Sequence, residues 1–451
     1  MRKKPGTALG KISDLIKKSP FWFITILVSL LSIVFFIYFP FQVSLFPENP
    51  VRKLYYIDNI SDAHLKIINK FNQKYKNEIE VIPVNLPFYH FTTNDRKEIL
   101  TRSLRSRSDG IDIFAVDLIW IPRFAKWGYN MDRRFSDKVM KNVNQGALKA
   151  CYHNNNLVAF PLFLDIGVLY YRKDLIRQLP DGETIEKKIQ NSLTWDEFIS
   201  LGNRFRNSKN PFYIFTGNNF EGMMCCYHEM LSNEESDNIF YGNPINLNCP
   251  SSARALRLMT DLIHRYKFSP IEVTRLDEYN SYIYANEKNA VFLRGWVGYH
   301  KQYKSFLKDT SNIANMEIAP MPHFKGNSTS GVFGGWSLMI SKFSNRKEEA
   351  LKFINFMFEK ENQKILYESG GYLPINLEIY KDSLYLLNHK ELAQTQKLLK
   401  WGKHRPFLDN YTRISEIMAR HFHKALQNKI SVEEALSSAT AQIMSEKVTL
   451  K

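Results

Sequence analysis

From Val51 onward the chain alternates short apolar runs with amphipathic stretches, and this alternation limits the fold more than any other feature. RKLYYI, EIEVIPVNL and GIDIFAVD read as strands. Between them, Asp62 to Tyr75 puts Leu65, Ile68 and Phe71 on one helical face, and Thr92 to Arg107 reads as a charged amphipathic helix. Ile119 to Trp127 reads as a helix ending at Gly128. Strands alternating with helices predict an α/β fold with a mainly parallel sheet covered on both faces. The rhythm continues with PFYIFTG, NAVFLRG, MEIAPMP and GGWSLMISKFS as strands, and nearly everything from Lys390 onward reads as helix. Thr194, with Glu197 three residues on, makes a capping box for the helix in TWDEFISLGNRFR. A chain of 451 residues exceeds what one core usually supports, so two lobes are expected. No repeat or low-complexity linker separates them, which predicts several short crossings instead of one hinge peptide.

Four residues stand out against this background. FPLFLDIGVLYYRKDL carries Asp165 at the centre of an apolar run, and the stretch reads as two strands with a break near Leu162–Asp165. A buried carboxylate without partners is costly, so Asp165 is either capped by backbone N–H groups or faces a wet cleft. Asp117 ends the strand IFAVD, where α/β sheets place their ligand crevice, though Asp at such a boundary also serves as a helix N-cap. Trp296 in RGW and Trp336 in GGW each follow a glycine, which lets the backbone approach a flat partner that the ring can stack on. A sugar ring is such a partner; a core tryptophan beside a turn glycine is the alternative.

Other chemistries find little support. His421 and His423 lie two apart in a helix and do not share a face, so no metal site is expected. There is no G-x-S-x-G elbow, Walker loop or GxGxxG, and no cofactor is expected. Gly370–Tyr372 reads as a helix stop. The net charge of +16, from 61 basic and 45 acidic residues, raises the question of nucleic acid, but no zinc-finger spacing, basic zipper or aromatic RNA-binding signature accompanies it.

Phe21 to Phe41 contains no charge and is about 20 residues long, enough to cross ~30 Å of hydrocarbon. Arg2, Lys3, Lys4, Lys11, Lys17 and Lys18 precede it against one Asp14, which predicts a cytoplasmic tail over 1–20, an uncleaved anchor over 21–41 and an exported remainder. Of the four cysteines, Cys151, Cys225, Cys226 and Cys249, buried thiols are the default; a bridge from Cys225 or Cys226 to Cys249 is the alternative.

Taken in order, IFAVDLIWIPRFAKWG, LVAFPLFLDIGVLYYRKDL, LTWDEFI, AVFLRGW, IAPMP with GVFGGWSLMISKFS, and EEALKFINFMFEKENQKILYESGGYLP resemble the extracellular solute-binding proteins of ABC importers, especially the branch for maltose and trehalose. The resemblance covers about residues 52–451. It implies two α/β lobes, 52–164 plus 336–390 and 165–335 plus 391–451, with ligand between them. Crossings would fall near Phe163–Asp165, near Gly335–Trp336 and before the helix at Lys390. By the same resemblance Asp117, Phe163, Asp165, Trp296, Gly335, Trp336 and Arg405 would contact ligand, and Asp58 and Asn59 would sit where relatives place another polar contact. It further implies a non-catalytic receptor for a neutral or acidic sugar, partnered by membrane permease subunits. A sensor without transport, a glycosidase using Asp117 and Asp165 as its acid pair, and an envelope protein binding anionic polymers are the competing readings.

Overall fold

The computed structural model describes residues 20–38, 51–88, 90–91, 93–107 and 110–449. The chain divides into two units, Met1–Arg52 and Lys53–Lys451. In the first, Pro20–Tyr38 is a 19-residue helix. Among the described residues no helix is long and apolar enough to cross a membrane. The basic tail ahead of this helix, and the end of the expected span beyond Tyr38, lie outside the described residues.

The second unit holds strands β1 (Arg52–Asp58), β2 (Ile79–Asn85), β3 (Ile113–Asp117), β4 (Tyr152–His153), β5 (Asn156–Leu157), β6 (Phe160–Arg172), β7 (Tyr213–Ile214), β8 (Phe292–Trp296), β9 (Met316–Ala319), β10 (Gly331–Ile340) and β11 (Gly402–Lys403). Nine of them form one sheet in the order β2-β1-β3-β10-β6-β8-β7, with β11 on β10 and β9 on β6; β4 and β5 pair with each other. The sheet is mixed and not mainly parallel. β1–β3 and β7–β8 are parallel, but β10 runs antiparallel to both β3 and β6, and β6 antiparallel to β8 and β9.

Strand β6 is one strand and not two, and the break expected near Leu162–Asp165 is confined to a register irregularity at Leu162 in its pairing with β10. Its 13 residues form one continuous strand that changes partners: Phe160–Ile166 pair with β10, and Gly167–Tyr171 with β8. Asp165 therefore lies within a strand, just before the exchange. On the first long helix, Asp62–Lys74, the buried face is His64, Ile67, Ile68 and Phe71, while Leu65 is 39% exposed. The spacing i, i+3, i+4, i+7 starts one residue earlier than Leu65 suggests. The capping box at Thr194 forms as expected, with Glu197 N–H donating to the threonine hydroxyl at 3.2 Å. Gly371 takes a left-handed conformation (φ 70°) and ends the helix Lys360–Gly370. All four cysteines are free thiols. Burial pushes the Cys151 and Cys226 thiols up to about 12, so both remain protonated and inert at neutral pH. The core runs unbroken from β1 to the helices Tyr411–Leu426 and Val432–Thr449, so the Lys53–Lys451 unit closes on itself.

Candidate functional site

The crossing of β6 and β10 lines up most of the predicted residues. Trp336 on β10 pairs with Asp117 on β3 to one side and Phe163 on β6 to the other. Farther along β10, Gly334 pairs with Asp165, and β8 then sets Trp296 against Gly167. At Gly335 the backbone has φ +126°, and a Cβ there would stand 2.5 Å from the Phe163 carbonyl oxygen. Only glycine permits that approach.

Asp165 is half-buried and accepts from the Ile166 N–H at 2.9 Å. Burial raises its carboxyl well above the usual range, opposed by the N–H groups of Ile166 and Val297 and by the Arg294 guanidinium. The residue is thus both backbone-capped and open at its edge. Next to it, Trp296 lies over the Arg294 guanidinium at 4.2 Å, and its ring stands so close to Gly334 that a Cβ there would be 2.8 Å away. Arg294 is fully buried and holds Glu229 in a two-pronged pair, Nε–Oε2 2.9 Å and Nη2–Oε1 2.6 Å.

A second cluster forms at the end of β1. Asp58, 4% exposed, accepts from the Tyr56 hydroxyl at 2.6 Å, the Asn59 N–H at 2.6 Å and Arg96 Nη2 at 3.1 Å. Asn59 in turn accepts from the Phe88 N–H at 3.3 Å. The Arg96 guanidinium sits in the corner between the Trp336 ring at 4.0 Å and the Phe88 ring at 4.3 Å, which meet each other edge-to-face at 5.7 Å, and Trp336 also meets Trp120 edge-on. Trp336 is only 8% exposed, so it serves as a wall of the cluster. Phe163 is turned to Tyr372, ring centroids 4.5 Å apart, and is buried.

Asp117 and Arg405 belong to a third cluster. Asp117 caps the following turn, accepting from Ile119 N–H at 3.1 Å, and takes Arg405 Nη2 at 3.1 Å. Arg405 Nη1 donates to Glu221 at 2.8 Å. Ser415 and Tyr411 also donate to Glu221. The Asp117 carboxylate therefore has both an N-cap and an ion-pair role.

Sequence reasoning missed Arg96, Glu221 and Arg294. Arg96 shares the buried stripe of its helix with Leu100 and Leu104, at spacings of four, which marks it as an inward-facing charge. Arg294 is a lone charge in the apolar strand FLRGW, the same signal that marked Asp165. Among the described residues, the buried Arg96 Nε and Nη1, Arg294 Nη1, Arg405 Nε and the Tyr299 hydroxyl find no hydrogen-bond partner. Donors and aromatic faces around one strand crossing suit a partner that presents hydroxyl oxygens and flat apolar surface. Among the described residues no group of His, Cys, Asp and Glu could hold a metal. Two surface grooves, of about 390 and 800 Å³, lie elsewhere and share no residue with these clusters.

Residues 66–394 match the family model described as bacterial extracellular solute-binding protein. The chain belongs to that family. A curated relative from Deinococcus radiodurans, called a probable ABC transporter-binding protein, is 24% identical over 354 residues, covering 77% of this chain and 83% of the relative. Among solved structures, maltose-bound MalE3 of T. maritima is similar with TM-score 0.75 and 24% identity, over 87% of this chain and 99% of that one. The sugar-binding protein MalE of Xanthomonas citri is similar with TM-score 0.69 and 19% identity, over 88% and 98%. This solute-binding protein therefore has the two-lobed fold of such proteins.

Proposed function

We propose that this solute-binding protein takes a sugar or oligosaccharide between its lobes and presents it to the permease subunits of an ABC-type importer. The observation that carries the reading is the crossing itself: Asp165 with its open edge, Trp296 beside it and the Arg96–Trp336 pair all border β6 and β10. The partner exchange at Ile166–Gly167 supports a lobe boundary near Asp165, with 52–164 plus 336–390 on one side and 165–335 plus 391–451 on the other. Contacts made to both lobes at once favour a closed arrangement, which is what a permease would read. The maltose bound by the T. maritima protein, and the description of the X. citri protein as sugar-binding, support a carbohydrate ligand here. Two aromatic faces with charge-assisted hydrogen bonds are compatible with roughly micromolar affinity, about −8 kcal/mol.

The charge-free run Phe21–Phe41 behind a basic tail supports a single-pass anchor with the lobes outside the cell membrane. Such tethering keeps the receptor near its permease at high effective concentration.

The test is calorimetric titration of Lys53–Lys451 with neutral and acidic oligosaccharides, beside Asp165→Ala and Trp296→Ala. Binding to one sugar class that both folded variants lose is expected. Indifference to both changes would remove the crossing from consideration as the site.

A further inference from the structure

A patch remote from the strand crossing has a different chemistry. The short helix Ser383–Asn388 turns Tyr385 inward, where its ring stacks on His389 at 4.1 Å and its hydroxyl donates to Glu368 at 2.9 Å. Its outward side is apolar: Leu384 is 71% exposed and Leu387, one turn on, is 68% exposed. Leu387 and Trp401, the latter 40% exposed, line the groove of about 800 Å³, together with Lys390 and Lys397. Lys381 and Lys400 are exposed nearby. The acids of the region are engaged or withdrawn. Asp382 pairs with Lys360 at 3.0 Å, Glu317 lies 3.6 Å from Lys173, and Glu391 is half-buried. The patch therefore presents protruding leucines and a tryptophan with Lys390 and Lys397 in the same groove and the exposed Lys381 and Lys400 adjacent in sequence.

We propose that this face docks on an anionic lipid surface. Leucines and a tryptophan enter the headgroup boundary while flanking lysines keep their charge at the phosphates, the arrangement of interfacial protein segments. Charge complementarity favours this occupant over an apolar protein face, which would leave the lysine ammonium groups of the groove unpaired at the contact. The inference rests on the anchored reading above. Residues 42–51 join the apolar run to β1, and ten residues at about 3.5 Å each span at most ~35 Å. Under that tether a weak contact is enough to set how the receptor lies.

Residues 52–451 carry the whole sheet and core and are tested without the anchor. They are sedimented with vesicles of mixed phosphatidylglycerol and phosphatidylcholine, and with phosphatidylcholine alone. Retention on the anionic vesicles only is expected. It should fall about tenfold or more in K390E/K397E, and comparably in L384E/L387E, with thermal unfolding unchanged. Equal retention on both vesicle types, or none, overturns the proposal. So does a concentration-dependent dimer that L384E/L387E abolishes, which would make the face a contact between copies. Carbonate extraction of the full chain from cell membranes reads the anchor separately: release into the supernatant removes the anchor without altering the vesicle result.

Discussion

Arg405 binds Asp117 at 3.1 Å and Glu221 at 2.8 Å while only 3% exposed, so two of the residues expected to hold ligand also hold each other. Asp117 ends β3, whereas Glu221 opens the helix Glu221–Glu229, far along the chain. The guanidinium thus ties the end of one strand to elements on the other side of β10. Burial raises the Glu221 carboxyl, and the charge and hydrogen bond of Arg405 oppose that rise.

Removing this cation should be severe. Arg405→Met leaves two carboxylates facing one another in a poorly hydrated site, and a broken buried pair costs about 3–5 kcal/mol. Glu221→Gln and Asp117→Asn should each cost less, because the guanidinium keeps one partner. Urea unfolding of the three variants checks the ranking. If Arg405→Met proves the mildest, the pair contributes nothing to holding these elements together.

Adjacent glycines on β10 should behave differently. Gly335→Ala places a Cβ 2.5 Å from a main-chain oxygen at φ +126°, and neither can yield without breaking the β6–β10 ladder. A loss of about 3 kcal/mol or more, or failure to fold, is expected. Gly334→Ala meets only the edge of the Trp296 ring, at 2.8 Å, which can tilt. That variant should fold, with altered tryptophan fluorescence and weakened ligand binding. Equal stability of the two variants would contradict the geometry.

How much of this was legible depended on the reach of each cause. The strand–helix rhythm, the Thr194 capping box and the Gly371 stop arise within a few residues and appear where the sequence predicts them. The mixed sheet was not legible, because strand direction depends on pairings such as Trp336 with Asp117, more than 200 positions apart. The single strand through Asp165 was misread for a related reason: a charge in an apolar run looks like an interruption unless the change of partner is known. The ion pairs of Arg405 were not legible either, because its partners come from β3 and from Glu221, which no local pattern links to it. Phe163 likewise turned out to pack on Tyr372, a contact between distant segments.

Arg294 should not tolerate lysine. Its fork engages both oxygens of Glu229 while its flat face supports Trp296 at 4.2 Å, and an ammonium can do only part of either. Arg294→Lys should cost about 2–4 kcal/mol and shift the emission of Trp296. A stable protein with unchanged emission would mean that the ring is held by Gly334 and its strand alone.

Glu278 should make folding and binding sensitive to pH. It opens the helix Glu278–Glu287, and its carboxyl is raised from 4.5 to about 7, chiefly by burial. Its own backbone N–H and Arg294 lower it, while Asp277 and Asp117 raise it further. A carboxyl with a raised folded value keeps its proton in the native state after the unfolded chain has released one. Its contribution is therefore complete below 4.5 and is lost as pH rises to about 7, by at most on the order of 3 kcal/mol before screening at its exposed edge. Glu278→Gln removes the titrating proton and should flatten stability across that window. A ligand that further excludes water from Glu278 should drive proton uptake, seen as a binding enthalpy that depends on the ionisation heat of the buffer. If that buffer dependence persists in Glu278→Gln, the proton belongs to another group, and Asp165, also raised by burial, is the next to test.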